Sequence, residues 1–203
     1  MAPMSSTDPG SDGGTGRGDA DPTAHGELLR RLAWDSIHHG LRHGRPLEPR
    51  PEDYPEALRA PGASFVTLER GGRLRGCIGS LEARRPLVVD VAHNAFSAAF
   101  QDPRFPPLQP SELDGLDLHI SILTPPEPLP VTSEEDLLAR IEPGRDGLIL
   151  EEGPHRGTFL PAVWEQLPDP RQFVRHLKMK AGLPPDYWSP QIRVSRYRTR
   201  VID

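Results

Sequence analysis

The chain has 203 residues, 35% of them hydrophobic, and a formal net charge of −5 at pH 7; this suits one domain with a tail, or two small subdomains. A single cysteine excludes an internal disulfide, and the chain has neither a signal-peptide core nor an apolar run of about 18 residues that could span a bilayer. We therefore expect a cytoplasmic protein without a membrane partner.

Residues 1–22 consist mainly of Gly, Ser, Asp, Pro and Thr and show no apolar periodicity. Such a segment has too little apolar surface to offset the entropy lost on ordering. The composition predicts a disordered tail over 1–22 and a folded domain over 23–203. Because the tail holds four Asp and one Arg, the domain is nearly neutral, which argues against general binding to nucleic acid.

Apolar residues recur at helical spacing from Leu28 to Leu41, and Gly44 and Pro46 mark the end of this predicted helix. Residues 64–80 predict a β-hairpin whose tight turn is formed by Gly71-Gly72. Simple alternation along its second strand gives two faces. One face carries Leu74, Gly76 and Ile78, and the other carries Arg75, Cys77 and Gly79.

The stretch RPLVVDVAHNAFSAAFQD predicts a helix with a buried apolar stripe. Its polar side is expected to carry Asp90, His93, Asn94, Ser97 and Gln101. A strand follows at DLHISIL, where apolar residues alternate with His119 and Ser121.

The rest of the chain predicts a short helix capped by Ser133, a second hairpin in RDGLILEEGPHRGTFLP, and two further helices ending at Gly182. The stretch QIRVSRYRTRV predicts one final strand. Hairpins interleaved with helices indicate an α+β fold with a largely antiparallel sheet.

Several motifs occur in order along the domain. They are LRGCIG at residues 74–79, Asp102-x-Arg104-Phe105-x-Pro107 and Glu112-Leu113, then ISILTPPEPL, IEPGRDGLIL, GTFLPAVW, FVRHLKMKAGL and RYRTR. Over roughly residues 24–200 the chain thereby resembles the AMMECR1 domain family. The resemblance implies an α+β fold with a barrel-like sheet and two subdomains, and a molecular function that is not assigned.

The same resemblance links the chain to protein A of the AmmeMemoRadiSam system. It implies a Memo-like protein and a radical-SAM protein as partners on separate chains, because this chain is too short to include a Memo-like domain. No cofactor is expected.

Cys77 is the candidate nucleophile of the LRGCIG motif. A nearby Arg75 guanidinium would favour the thiolate, and Gly76 and Gly79 would let a ligand or another backbone approach closely. The alternative is that Cys77 is a small apolar core residue. Without a second cysteine, no Cys-x-x-Cys zinc site exists, and no metal is expected.

A nucleophilic cysteine needs a base, and His93 and His119 are the two candidates. Asp102, Arg104 and Glu112 would form, with Arg75, the charged wall of a small-molecule pocket. Their alternative role is an ion-paired support for the proline-rich turn that follows the helix.

Three functions therefore remain open. The first is an enzyme or enzyme subunit with Cys77 in a small-molecule site, and the second is a non-catalytic adaptor or scaffold. The third is an RNA-binding module that uses Arg196, Arg198 and Arg200 around Tyr197 on the last strand. The sequence identifies neither a substrate nor a reaction.

Overall fold

The computed structural model describes residues 21–203, which form two subdomains, each built on a four-stranded antiparallel sheet. The predicted disorder of residues 1–20 lies outside the described residues. Asp21 and Pro22, which composition assigned to the tail, are described: Asp21 caps a short 3-10 helix, Pro22–His25, and its carboxylate lies 2.6 Å from the Arg200 guanidinium. Among the helices of residues 21–203, none combines the length and the apolar character that a membrane span requires.

The helices are α1 (Gly26–His43), α2 (Glu56–Arg59), α3 (Leu87–Phe100), α4 (Glu134–Arg140) and α5 (Pro170–Lys180). The strands are β1 (Pro61–Gly62), β2 (Ser64–Arg70), β3 (Arg73–Gly79), β4 (Arg85–Pro86), β5 (Leu116–Leu123), β6 (Glu127–Pro128), β7 (Gly147–Glu152), β8 (His155–Phe159), β9 (Arg193–Tyr197) and β10 (Thr199–Ile202). Shorter 3-10 turns connect several of them, and β1 pairs with β4 as a separate two-stranded ribbon.

The first subdomain orders its strands β10-β5-β2-β3 and covers one face of this sheet with α1 and α3. The predicted hairpin is present, and its turn residues Gly71 and Gly72 both have positive φ. Alternation gives β2 and β5 one apolar face, and this face packs against the apolar stripe of α3 to form the first core. The other face of the sheet carries no helix of this subdomain and is half-exposed.

The second subdomain orders its strands β6-β9-β7-β8 and packs them against α4 and α5 around a separate core. Trp164 stacks on Phe173 with ring centroids 3.8 Å apart, and its indole N–H donates to the carbonyl oxygen of Asp146. The predicted cap of α4 is present, since the Ser133 hydroxyl accepts from the Asp136 N–H. The α+β class and antiparallel pairing are confirmed, but the described strands form two open sheets and no closed barrel.

The prediction of one final strand is wrong in one respect, because this stretch is divided into two strands that belong to different sheets. β9 pairs with β7 in the second subdomain, and β10 pairs with β5 in the first. At the break, the Arg198 N–H donates to the Thr124 hydroxyl and the Arg198 carbonyl accepts from the Thr124 N–H. These two bonds stand in for ladder bonds where the chain passes from one sheet to the other.

Two glycines of β3 meet close neighbours on opposite faces of the sheet. A side chain at Gly76 would overlap the backbone carbonyl oxygen of Ala98 in α3, so this position lets the helix lie directly on the strand. A side chain at Gly79 would overlap the Phe65 ring on the opposite face. At both glycines the group that approaches closely is therefore part of the protein itself: a backbone carbonyl at Gly76 and an aromatic ring at Gly79.

We predict that Gly76→Ala lowers the free energy of unfolding by about 2–4 kcal/mol, because a helix backbone cannot move aside locally. The matched variant Gly79→Ala should cost less, about 1–2 kcal/mol, since the Phe65 ring can rotate away. Urea denaturation followed by circular dichroism measures both. A Gly79 variant as destabilised as the Gly76 variant would contradict this account.

Candidate functional site

Cys77 lies on β3, the edge strand of the first sheet, and its side chain is half-buried. Its sulfur is 3.2 Å from the Thr67 hydroxyl oxygen, within hydrogen-bonding distance. Because Gly76 faces α3, the Cys77 thiol points to the face that carries no helix of this subdomain. Cys77 is therefore a half-buried residue of the open face and does not belong to the core.

A row of four polar side chains crosses this open face. Thr67 of β2 pairs in register with Cys77 on one side and with His119 of β5 on the other. The His119 Nδ1 lies 2.8 Å from a carboxylate oxygen of Asp203, which follows β10. We call Cys77, Thr67, His119 and Asp203 the cross-strand row; directly opposed Cβ atoms in such a pair are about 4.5–5.5 Å apart.

The two candidate bases occupy different faces. His119 lies in the cross-strand row with Cys77. His93 lies on α3, on the other side of the sheet, where its Nε2 is 2.8 Å from a carboxylate oxygen of Glu48. The structure therefore brings His119, and not His93, to the face that carries the thiol.

The backbone of Cys77 is held by Asp102 and Arg104. The Cys77 N–H donates to Asp102 Oδ2 at 2.9 Å, and the Arg104 guanidinium donates to the Cys77 carbonyl oxygen at 3.3 Å. The same guanidinium binds both oxygens of Asp102, at 3.0 and 2.7 Å. This pairing holds the pKa of the buried Asp102 carboxyl well below its usual range.

Arg75 does not lie beside the thiol as simple alternation predicted. The pairing of β2 with β3 shifts by one residue at Leu68/Glu69, which leaves Arg75 in a β-bulge and turns Leu74 out to solvent. The Arg75 guanidinium binds both oxygens of Glu112, at 2.8 and 3.0 Å, and the Pro106 carbonyl oxygen.

The Arg75–Glu112 pair is a support for the turn after α3. Its hydrogen bonds raise the pKa of Arg75 and lower the pKa of Glu112 to about 2. The guanidinium carbons of Arg75 and Arg104 lie 5.8 and 5.6 Å from the centre of the Phe105 ring, so one ring contacts both cations. These ion pairs hold the proline-rich turn against the edge of β3.

Sequence reasoning missed a second polar cluster, in which Asp90 and Asn94 are buried although their helix positions predicted a solvated side. The Asp90 carboxylate accepts from the N–H and hydroxyl of Ser64, the hydroxyl of Ser80, the Arg85 guanidinium and the Asn94 amide. The sequence did contain one signal for this cluster: Asp90 and Asn94 are four residues apart, and so share a face, on a helix that is otherwise largely apolar.

The family-model comparison matches AMMECR1 over residues 30–202. The chain belongs to the AMMECR1 family. A protein from Methanothermobacter thermautotrophicus is 44% identical over 179 residues, covering 87% of this chain and 93% of the relative. A protein from Thermococcus gammatolerans is 43% identical over 189 residues, covering 88% and 89%.

A solved structure supports the same assignment. The crystal structure of an uncharacterized protein from Pyrococcus horikoshii is similar to this AMMECR1 chain with a TM-score of 0.73 and 38% identity, covering 87% of this chain and 89% of that one. The family and the fold are therefore shared across these proteins.

We predict that the stability of the protein falls as the pH drops from about 5 to about 2. The pKa values of Asp102 and Glu112 are lowered in the folded state, so the unfolded chain binds more protons in this range and gains stability relative to the fold. Urea denaturation at stepwise pH measures the slope.

Glu112→Gln should reduce the stability at pH 7 and make the decline with acid shallower. Asp114→Asn is the matched control, because Asp114 is an exposed carboxylate of the same turn with no ion pair among residues 21–203. Equal slopes for the wild type and the Glu112 variant would refute the role given to the Arg75–Glu112 pair.

Proposed function

We propose that this AMMECR1 protein is an enzyme subunit in which Cys77 is the nucleophile and His119 the base. The observation that carries the proposal is the cross-strand row, which aligns a thiol, a hydroxyl, an imidazole and a carboxylate on one half-exposed face. Adjacent base and orienting groups are what an activated nucleophile requires.

In the proposed chemistry the thiol proton leaves Cys77 through the Thr67 hydroxyl. His119 stands opposite Thr67 in the strand register and is the proposed final acceptor of that proton, while the Asp203 carboxylate orients the ring through Nδ1 and stabilises the imidazolium. The thiolate then adds to the carbonyl carbon of a small polar substrate: the S–C bond forms as the C=O π bond opens, and the resulting alkoxide takes the proton back from the His119 imidazolium. Arg104, whose side chain is 54% exposed beside Cys77, is the candidate for orienting an anionic group of that substrate.

The face is open, and we propose that partner chains complete the site. The resemblance to protein A of the AmmeMemoRadiSam system supports a Memo-like and a radical-SAM protein as these partners. A chain seated over the row would exclude water and strengthen every charge interaction within it. Among the described residues, Val201 and Leu74 leave large apolar side chains exposed on or beside this face, at 57% and 42%.

A non-catalytic adaptor is the second candidate. It is favoured by the same exposed apolar residues, and Cys77 lines neither of the two cavities described among residues 21–203. An RNA-binding strip is less well supported, because Arg198 and Arg200 are each paired with carboxylates.

We predict that iodoacetamide alkylates Cys77 in the native protein at neutral pH, as followed by mass spectrometry. His119→Gln should slow the reaction roughly threefold to tenfold, since the thiolate is the reactive form. His93→Gln is the matched control and should leave the rate unchanged. Modification only after unfolding, or equal rates in all three proteins, would leave the adaptor as the better function.

We also predict that the Memo-like or radical-SAM partner forms a complex with this chain and protects Cys77 from iodoacetamide. Val201→Glu should abolish the complex, measured by analytical ultracentrifugation, because it places a charge on the open face. Met179→Glu is the control, as Met179 is 53% exposed on α5 of the other subdomain. A complex that tolerates Val201→Glu, or leaves Cys77 reactive, would argue against this surface.

A further inference from the structure

A cavity of about 1450 Å³ lies between the two subdomains, and its walls come from both of them. None of the four residues of the cross-strand row lines it. Ligand pockets for small molecules are about 300–1,000 Å³, so this cavity has room for an organic molecule together with water. It is a separate feature from the proposed thiol site.

Three arginines from the end of the chain line this cavity, and two of them are neutralised. Arg198 lies 2.6 Å from Glu142 and 3.1 Å from Asp146, and Arg200 lies 2.6 Å from Asp21. The third, Arg196, is different in its surroundings.

Arg196 is half-buried, yet within residues 21–203 its side chain makes no ion pair, no hydrogen bond and no cation–π pair. In the ladder it stands opposite Glu127, but the two side chains are not within ion-pair distance. A partly desolvated guanidinium without a counter-charge is costly, and its planar donors fit a phosphate or carboxylate in a bidentate way. Among residues 21–203, Arg196 is thus the one arginine of the cavity wall that has no ion pair.

The remainder of the wall is largely apolar. Leu87, Ile122 and Tyr197 are buried residues that line the cavity. Of its three carboxylates, Asp21 is paired with Arg200, and Glu56 and Glu127 belong to exposed residues. An occupant that matched both features would have an apolar body and one anionic group.

We propose that this cavity binds a small organic anion, a phosphate ester or carboxylate with an apolar body, whose anionic group lies on the Arg196 guanidinium. Arg196, one of the three arginines first considered as a nucleic-acid strip, is then a ligand contact. The site lies where the chain passes from one sheet to the other, so a single ligand contacts both subdomains.

The test is a titration of the full chain with phenyl phosphate, followed by ¹H–¹⁵N NMR of the arginine Nε–Hε groups. The Arg196 signal should shift in a saturable way, and the signal of Arg193, an exposed residue of the same strand outside the cavity, should not. Inorganic phosphate and phenol, each alone, should bind more weakly than phenyl phosphate. Equal shifts at both arginines, no saturation, or phenol binding as tightly as phenyl phosphate would overturn the proposal.

Arg196→Met should weaken phenyl phosphate binding by roughly tenfold to a hundredfold, the loss expected for a charge-assisted contact. Arg193→Met is the matched control and should bind as the wild type does. Should the Arg196→Met chain not fold by circular dichroism, Arg196→Lys keeps the charge but loses the bidentate geometry, and must also weaken binding. Unchanged affinity in the folded Arg196 variant would refute the assignment. These experiments measure only the binding of phenyl phosphate, so their outcome does not depend on whether Cys77 is a nucleophile.

Discussion

Helix α3 can lie directly on strand β3 only because residue 76 has no side chain. The carbonyl oxygen of Ala98 occupies the space that a Cβ would need. This contact sets the distance between the helix layer and the edge of the first sheet, and it decides which face of β3 belongs to the core. Cys77 follows directly in the chain, so its thiol must point away from the helix.

The residues around the end of α3 fix the backbone of β3 next to Gly76. An edge strand leaves N–H and C=O groups unpaired, and Asp102 and Arg104 bind one of each on Cys77. The bulge at Arg75 sends that guanidinium to Glu112, which fixes the proline-rich turn against the same edge. The motif residues that looked like a charged pocket wall therefore act together as a clamp on the backbone that carries the thiol.

Much of the fold could be predicted from the sequence because its signals are local. Helical spacing, the Gly71-Gly72 turn and the Ser133 cap each need only a few neighbouring residues. What could not be predicted depends on pairing at long range. A one-residue bulge reversed the expected side of Leu74, the last strand divides at Arg198, and Lys178 of α5 is buried against Glu134. The position of His119 opposite Thr67 is likewise a matter of strand register, which no local pattern contains.

Because the sheet face is open to water, the hydrogen bonds of the cross-strand row are weaker in the isolated chain than they would be in a covered site. Asp203 is 77% exposed, so in the isolated chain water competes for its bond to His119 and weakens the orientation of the ring. A buried row would need no further cover, whereas an exposed one gains reactivity when another surface removes the water. The same covering surface would bury the neighbouring apolar side chains, including Val201, and so supply the free energy of association. On this view the catalytic and adaptor functions are two consequences of one face, and chemistry at Cys77 becomes efficient only when a partner is docked.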